Sequence, residues 1–127
     1  PDLESLKEYV KELGLDQKVF FLGRKKNPYV WIDNCKLFVL STKFEGLPVV
    51  LTESLLLNKK IVVSNCKTGI IEITENGNYG EIFEIGNIEE LSKKILITLD
   101  KEKKETEEYV IKKFNTGFKK LLELIKG

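Results

Sequence analysis

Leu37-Phe38-Val39-Leu40-Ser41-Thr42-Lys43-Phe44-Glu45-Gly46-Leu47-Pro48-Val49-Val50-Leu51-Thr52-Glu53 is the stretch on which the fold turns. It opens with a fully apolar run that stops at Ser41-Thr42, the pattern of a strand buried on both faces. Pro48 then stands where the first turn of a helix tolerates proline, and Val49 to Leu57 can carry that helix on. Strand, small-residue loop and helix in this order make one β–α unit.

The same alternation continues on both sides. Downstream, Asn58 is an acceptable left-handed stop before Lys59-Lys60, and Ile61-Val62-Val63 is another apolar strand whose loop closes at Thr68-Gly69. A brief helix from Ile70 to Thr74 should stop at Asn76-Gly77, and Gly80 to Phe83 reads as a shorter strand. Asn87 with Glu90 resembles a capping box for a helix through Leu99. Upstream, Asn27-Pro28 opens a short helical segment through Tyr29, Trp31 and Ile32, and Val19-Phe20-Phe21-Leu22, ended by Gly23, reads as a buried strand. Asp2 is a good N-cap for a first helix carrying Leu3, Leu6, Val10 and Leu13, with Gly14 as its stop. From about Lys101 the chain turns strongly charged, then helical through Val110, Phe114, Phe118, Leu121, Leu122 and Ile125.

Strands separated by helices imply parallel pairing with both faces covered. The expected fold is therefore α/β, a Rossmann-like parallel sheet flanked by helices. Residues 1–100 would form a partial Rossmann-like domain, and 101–127 helices packing on it or returning from it. Ligands in such sheets collect outside the carboxyl ends of the strands, so the informative loops follow Leu22, Leu40 and Val63.

Composition removes several classes. The 127 residues carry 21 basic and 20 acidic side chains, a net charge of +1, so no nucleic-acid partner is expected. Cys35 and Cys66 stand far apart and the chain has no histidine, so no metal site and no histidine acid–base chemistry are expected. No apolar run approaches the roughly 20 residues of a spanning helix, and no signal-peptide pattern is present. Reduced thiols fit a cytoplasmic location. With Pro1 first and no methionine, the expectation is a piece of a longer gene product.

The loop after the Leu37–Leu40 run carries the chemistry. Gly46, without a side chain, lets a ligand approach the backbone, and the following helix start offers N–H groups and a positive dipole end suited to a diphosphate. Glu45 lies just before that helix and Glu53 about one turn inside it. Each carboxylate can hold a pair of neighbouring hydroxyls, and a nucleotide sugar presents such pairs on either side of a diphosphate. The plainer reading is that helix starts favour glutamates in any case.

Glu45 and Glu53, with seven residues between them, resemble the E-x7-E motif of retaining GT-B glycosyltransferases, especially glycosyltransferase family 4. The surrounding Ser-x-x-Phe-Glu-Gly-Leu-Pro-Val-Val-Leu-x-Glu-Ser is similar to that family, as are Val19-x-Phe-Leu-Gly23 and Asn27-Pro-Tyr29 upstream. Ile61-Val-Val-Ser64, Thr68-Gly-Ile-Ile-Glu72 and Asn76-Gly-x-x-Gly80 continue the likeness in order. The resemblance implies a partial C-terminal lobe of a GT-B fold, truncated on its N-terminal side, that binds a nucleoside-diphosphate sugar for transfer to an acceptor hydroxyl with retention. Glu45 would be the catalytic-site carboxylate on the sugar hydroxyls and Glu53 the ribose ligand. Gly46, Leu47, Pro48, Val49 and Val50 would lend backbone N–H groups where they have them, and Gly23-Arg24 would line the base pocket. Arg24-Lys25-Lys26 can equally be a solvated basic turn, and Gly69, a weaker donor-site candidate, can be part of a tight turn with Thr68.

No cofactor or metal is implied. The acceptor site belongs to the other lobe, so this chain alone would transfer nothing. The family usually has a glycine near Asn58 and a proline near Lys60, so that turn departs from it. Two earlier strands and a basic pair usual in the family are not found here, and they would separate Val19–Leu22 from the other strands. Self-association through exposed sheet edges is one way to cover the gap.

Two other readings stay open: a non-catalytic nucleotide-binding module, and a GT-B-type sugar-nucleotide epimerase. A Rossmann dehydrogenase is disfavoured because no G-x-G-x-x-G occurs. Lys112, Lys113, Lys119, Lys120 and Lys126 accompany the apolar residues of the last helical run. That pattern suits either a peripheral contact with anionic lipid, as in polysaccharide biosynthesis on lipid-linked acceptors, or a helix docked on its own domain with a solvated lysine face.

Overall fold

The structure, a computed structural model, describes residues 2–44, 48–114 and 117–126. Its elements are α1 (Leu3–Glu12), α2 (Tyr29–Asn34), β1 (Phe38–Leu40), α3 (Val49–Leu56), β2 (Ile61–Ser64), α4 (Thr68–Thr74), β3 (Glu81–Phe83), α5 (Ile88–Asp100), α6 (Glu107–Phe114) and α7 (Gly117–Lys126). The strands pair in parallel in the order β1-β2-β3, with Leu40 opposite Val63 and Val63 opposite Ile82. The α/β architecture is the one the alternation predicts.

β2 is the central strand and is buried at every position. Ile61 and Val63 join Leu51, Leu55, Leu56, Ile70 and Ile73 in the core, whereas the equally buried Val62 lies outside that cluster, as side-chain alternation along a strand requires. α3 is apolar almost all round because it is enclosed, lying against both β2 and α6. Its polar Ser54 is satisfied internally, the hydroxyl donating to the Val50 carbonyl at 2.8 Å. α5 packs on β3 and β2. Only half of its capping box forms: Asn87 Oδ1 accepts from the Glu90 N–H at 3.0 Å, but the Glu90 carboxylate turns instead to the Glu84 N–H.

The expected strand at Val19–Leu22 does not form. The segment is irregular, and Phe20 is 72% exposed. A strand exists only through the neighbour it pairs with, and none of β1, β2 or β3 lies beside this run. The Val19 N–H is taken up in the turn after α1, donating to the Leu15 carbonyl at 2.9 Å. α1 itself forms where expected, with Asp2 as N-cap and Gly14 at φ 68, yet its apolar stripe is uncovered. Thr68-Gly69 is also not the close of a loop: these residues are the first turn of α4, after Lys67 at φ 67.

The two departures near the end of α3 have structural partners. Asn58 adopts the left-handed conformation at φ 57, and its side-chain oxygen accepts from the N–H groups of Thr106 and Glu107, both at 2.8 Å. The Thr106 hydroxyl returns a bond to the Leu55 carbonyl. One asparagine thus ends α3 and caps α6. The Lys60 ammonium donates to the carbonyls of Thr98, Leu99 and Lys101 and so closes the carboxyl end of α5, where the helix dipole favours a cation. Replacing Asn58 by alanine strands two N–H groups and leaves a β-carbon in a left-handed site. It is expected to lower stability by about 1–3 kcal/mol, measured by urea unfolding, with glycine at this position less harmful.

Val110 and Leu122 bring the last two helices into the same core, with Ile111, Phe114, Leu121 and Ile125 packed around them. The apolar side of α6 and α7 is thereby used within the fold, and Lys112 and Lys120 remain exposed. No helix among the described residues is long and apolar enough to cross a membrane.

Candidate functional site

The carboxyl edge of the sheet is built from the segments that follow β1 and β2. After Leu40 the chain leaves the sheet, and Thr42 is held by Ser64 at the end of β2: Ser64 Oγ accepts from the Thr42 N–H at 2.9 Å and donates to the Thr42 carbonyl at 2.5 Å. Pro48 is buried, with φ −74 and ψ 98, and is the N-cap residue of α3 rather than part of its first turn. No side chain caps this helix start among the described residues. Its first N–H groups and the positive end of its dipole therefore stand at the edge where the loop emerges.

Val49 is exposed at that start, while Val50 turns partly toward the core. Glu53 lies one turn inside, half-buried, with the Tyr29 hydroxyl of α2 close enough to sense its carboxylate. Interaction with the Glu53 carboxylate as an acceptor, then burial and that carboxylate's charge, push the Tyr29 pKa above its ordinary 10.0. Tyr29 is itself placed by Asn27, whose side-chain oxygen accepts from the Tyr29 N–H at 3.2 Å and sets up the first turn of α2.

Gly23, at φ 65, and Arg24 lie in the exposed segment before α2. The next residue, Lys25, places its ammonium 5.6 Å from the centre of the Trp31 ring, which ties this segment to the helix that carries Tyr29. Gly69 is buried in the first turn of α4, immediately beyond the carboxyl end of β2. The fold thus gathers Pro48, Val49, Val50 and Glu53 on one helix end and sets Gly69 on the neighbouring one. Glu45, Gly46 and Leu47 lie outside the described residues.

Two residues here escaped selection from the sequence. Tyr29 and Ser64 both occur in the quoted runs, but a hydroxyl's partner is chosen by tertiary approach and no spacing rule exposes it. A recess of about 120 Å³ opens elsewhere, at the starts of β2 and β3. Its cations are already engaged: Lys59 by Asp33, Lys60 by three carbonyls, Lys101 by Glu81, and Lys104 by the Asn78 carbonyl and the Tyr79 ring. This recess lies at the edge of the sheet opposite the start of α3.

Known proteins are similar to this chain. The family model described as glycosyl transferases group 1 matches residues 1–114. A Campylobacter jejuni protein, N-acetylgalactosamine-N,N'-diacetylbacillosaminyl-diphospho-undecaprenol 4-alpha-N-acetylgalactosaminyltransferase, is 34% identical over 84 residues, covering 66% of this chain and 23% of its own length. An uncharacterized glycosyltransferase of Haemophilus influenzae is 28% identical over 129 residues, covering 94% of this chain and 36% of its own. The lipopolysaccharide 1,6-galactosyltransferase of Salmonella typhimurium is 28% identical over 93 residues, covering 70% and 26%. The chain spans from 23% to 36% of the length of these relatives. A match over nearly the whole chain, on a parallel sheet flanked by helices, identifies it as a member of the glycosyl transferases group 1 family.

Proposed function

We propose that this chain is the donor-binding half of a retaining glycosyltransferase that moves a sugar from a nucleoside-diphosphate sugar to an acceptor hydroxyl. The observation that carries the reading is the helix α3: its start, which no side chain among the described residues caps, stands at the carboxyl edge of the sheet, and the half-buried Glu53 lies one turn in, near Tyr29. In this reading Glu53 accepts hydrogen bonds from the ribose hydroxyls. The first N–H groups of α3 and its dipole stabilise the charge that builds on the departing diphosphate, in the manner of preorganised donors. Glu45, next to the glycine that opens the backbone to a ligand, binds the donor sugar. The relatives' names point to a hexosyl or N-acetylhexosaminyl donor and to a lipid-linked or lipopolysaccharide acceptor, which another part of the protein would hold.

The test is transfer by the full natural chain, offered nucleoside-diphosphate sugars with a lipid-linked glycan acceptor. Consumption of donor is expected, with a product whose anomeric configuration matches the donor's, and Glu45→Gln should lower turnover by about 100-fold. Donor binding without any transfer would favour a non-catalytic nucleotide-binding module. An inverted product would remove the retaining assignment.

A further inference from the structure

β1 and β2 part at the edge where the proposed site opens. Their last paired residues are Leu40 and Val63. Beyond that pair a side chain takes over from the backbone ladder: the Ser64 hydroxyl, with Ser64 only 2% exposed, bonds both the N–H and the carbonyl of Thr42. A single hydroxyl thus supplies a rung that the diverging backbones cannot make themselves. The connection is passed on, because Thr42 Oγ1 accepts from the Phe44 N–H at 3.4 Å and donates to the Phe44 carbonyl at 3.2 Å. From Ser41 to Phe44 the exit of the loop is therefore rooted in β2 by a relay of hydroxyls. Glu45 is the next residue in the chain.

We propose that Ser64 is a positioning residue: it sets the direction in which the loop leaves β1 and thereby delivers Glu45 to the donor sugar, acting on transfer and not on nucleotide affinity. This rests on the donor-binding role proposed above. The separation follows from where each group is anchored. Ser64 is bonded to the loop after β1, whereas Glu53 sits within α3, a helix enclosed by the core, so loosening the loop leaves the ribose contact in place.

The experiment is a double-mutant cycle in the full natural chain, reading kcat and, separately, the Kd of a nucleoside diphosphate. Ser64→Ala is expected to lower kcat by about 10-fold or more while leaving that Kd within about twofold. Ser64→Thr, which keeps the hydroxyl, should recover most of the loss. In a Glu45→Gln background, Ser64→Ala should cost less than about twofold, because both changes act through one group. Should Ser64→Ala fail to fold, Thr42→Val removes the second hydroxyl of the relay and should show the same loss and the same non-additivity. A full, additive loss on top of Glu45→Gln would overturn the proposal, as would unchanged kcat in a folded Ser64→Ala protein. Full activity in Glu45→Gln alone would instead defeat the assignment of Glu45, and the role of Ser64 with it.

Discussion

Glu53→Ala should weaken binding of a nucleoside-diphosphate sugar by about 100-fold, the equivalent of roughly 3 kcal/mol, which is the scale of losing charge-assisted hydrogen bonds to a hydroxyl pair. Two features make the loss large. Glu53 is half-buried, so water competes poorly for its oxygens, and it sits on a helix enclosed by the core, which limits where the carboxylate can go before a ligand arrives. Glu53→Gln keeps an acceptor but loses the charge and should fall between alanine and wild type, and Tyr29→Phe should cost only a few-fold. Titration calorimetry with a nucleoside-diphosphate sugar, supported by an unchanged circular dichroism spectrum, reads the effect. Unaltered affinity in the alanine variant would show that the ribose is held elsewhere.

Leu55→Ala is the change expected to damage the fold most. Leu55 is 0% exposed, in a helix enclosed between β2 and α6, and the surrounding Leu51, Ile61, Val63 and Val110 are equally inaccessible. Truncation removes the transfer energy of the lost methyl groups and leaves a cavity that a central strand on one side and a helix on the other cannot close. The expected loss is about 3–5 kcal/mol, a large part of the 5–15 kcal/mol that typically holds a domain together. Urea unfolding should show a much lower midpoint, or no cooperative transition at all. Leu124, at 74% exposure, supplies the contrast: Leu124→Ala should stay within about 0.5 kcal/mol of wild type. Equal sensitivity at the two positions would mean that the core described here is misplaced.

The legible parts of the fold were those whose signal is local. Ile61–Val63 and Leu37–Leu40 are short apolar runs cut off by polar residues, and the stops at Gly14, Asn58 and Asn76-Gly77 coincide with positive φ angles. Val19–Leu22 carries the same apolar signal and yet is no strand, because pairing is a property of two segments and composition reports only one. The helices that follow the charged run from Lys101 were readable, but the bond that organises their start, from the Thr106 N–H to the Asn58 side-chain oxygen, spans 48 residues and leaves no periodic trace. The candidate site divides along the same line. Glu53 could be placed one turn inside α3 from Pro48 and the apolar run, whereas its neighbour Tyr29 and the hydroxyl relay through Ser64 depend on how α2 and β2 approach that helix and loop.

The side chain that joins the end of α3 to the start of α6 has a practical corollary for anyone trimming this protein. Cutting after Asp100 looks harmless from the charged residues that follow, but it would take both N–H partners from the Asn58 side-chain oxygen and strip Val110 and Leu122 from the core around Leu55. The segment from Thr106 onward is a buttress rather than a tail, so any expression boundary belongs beyond Ile125, the last core-facing residue of α7.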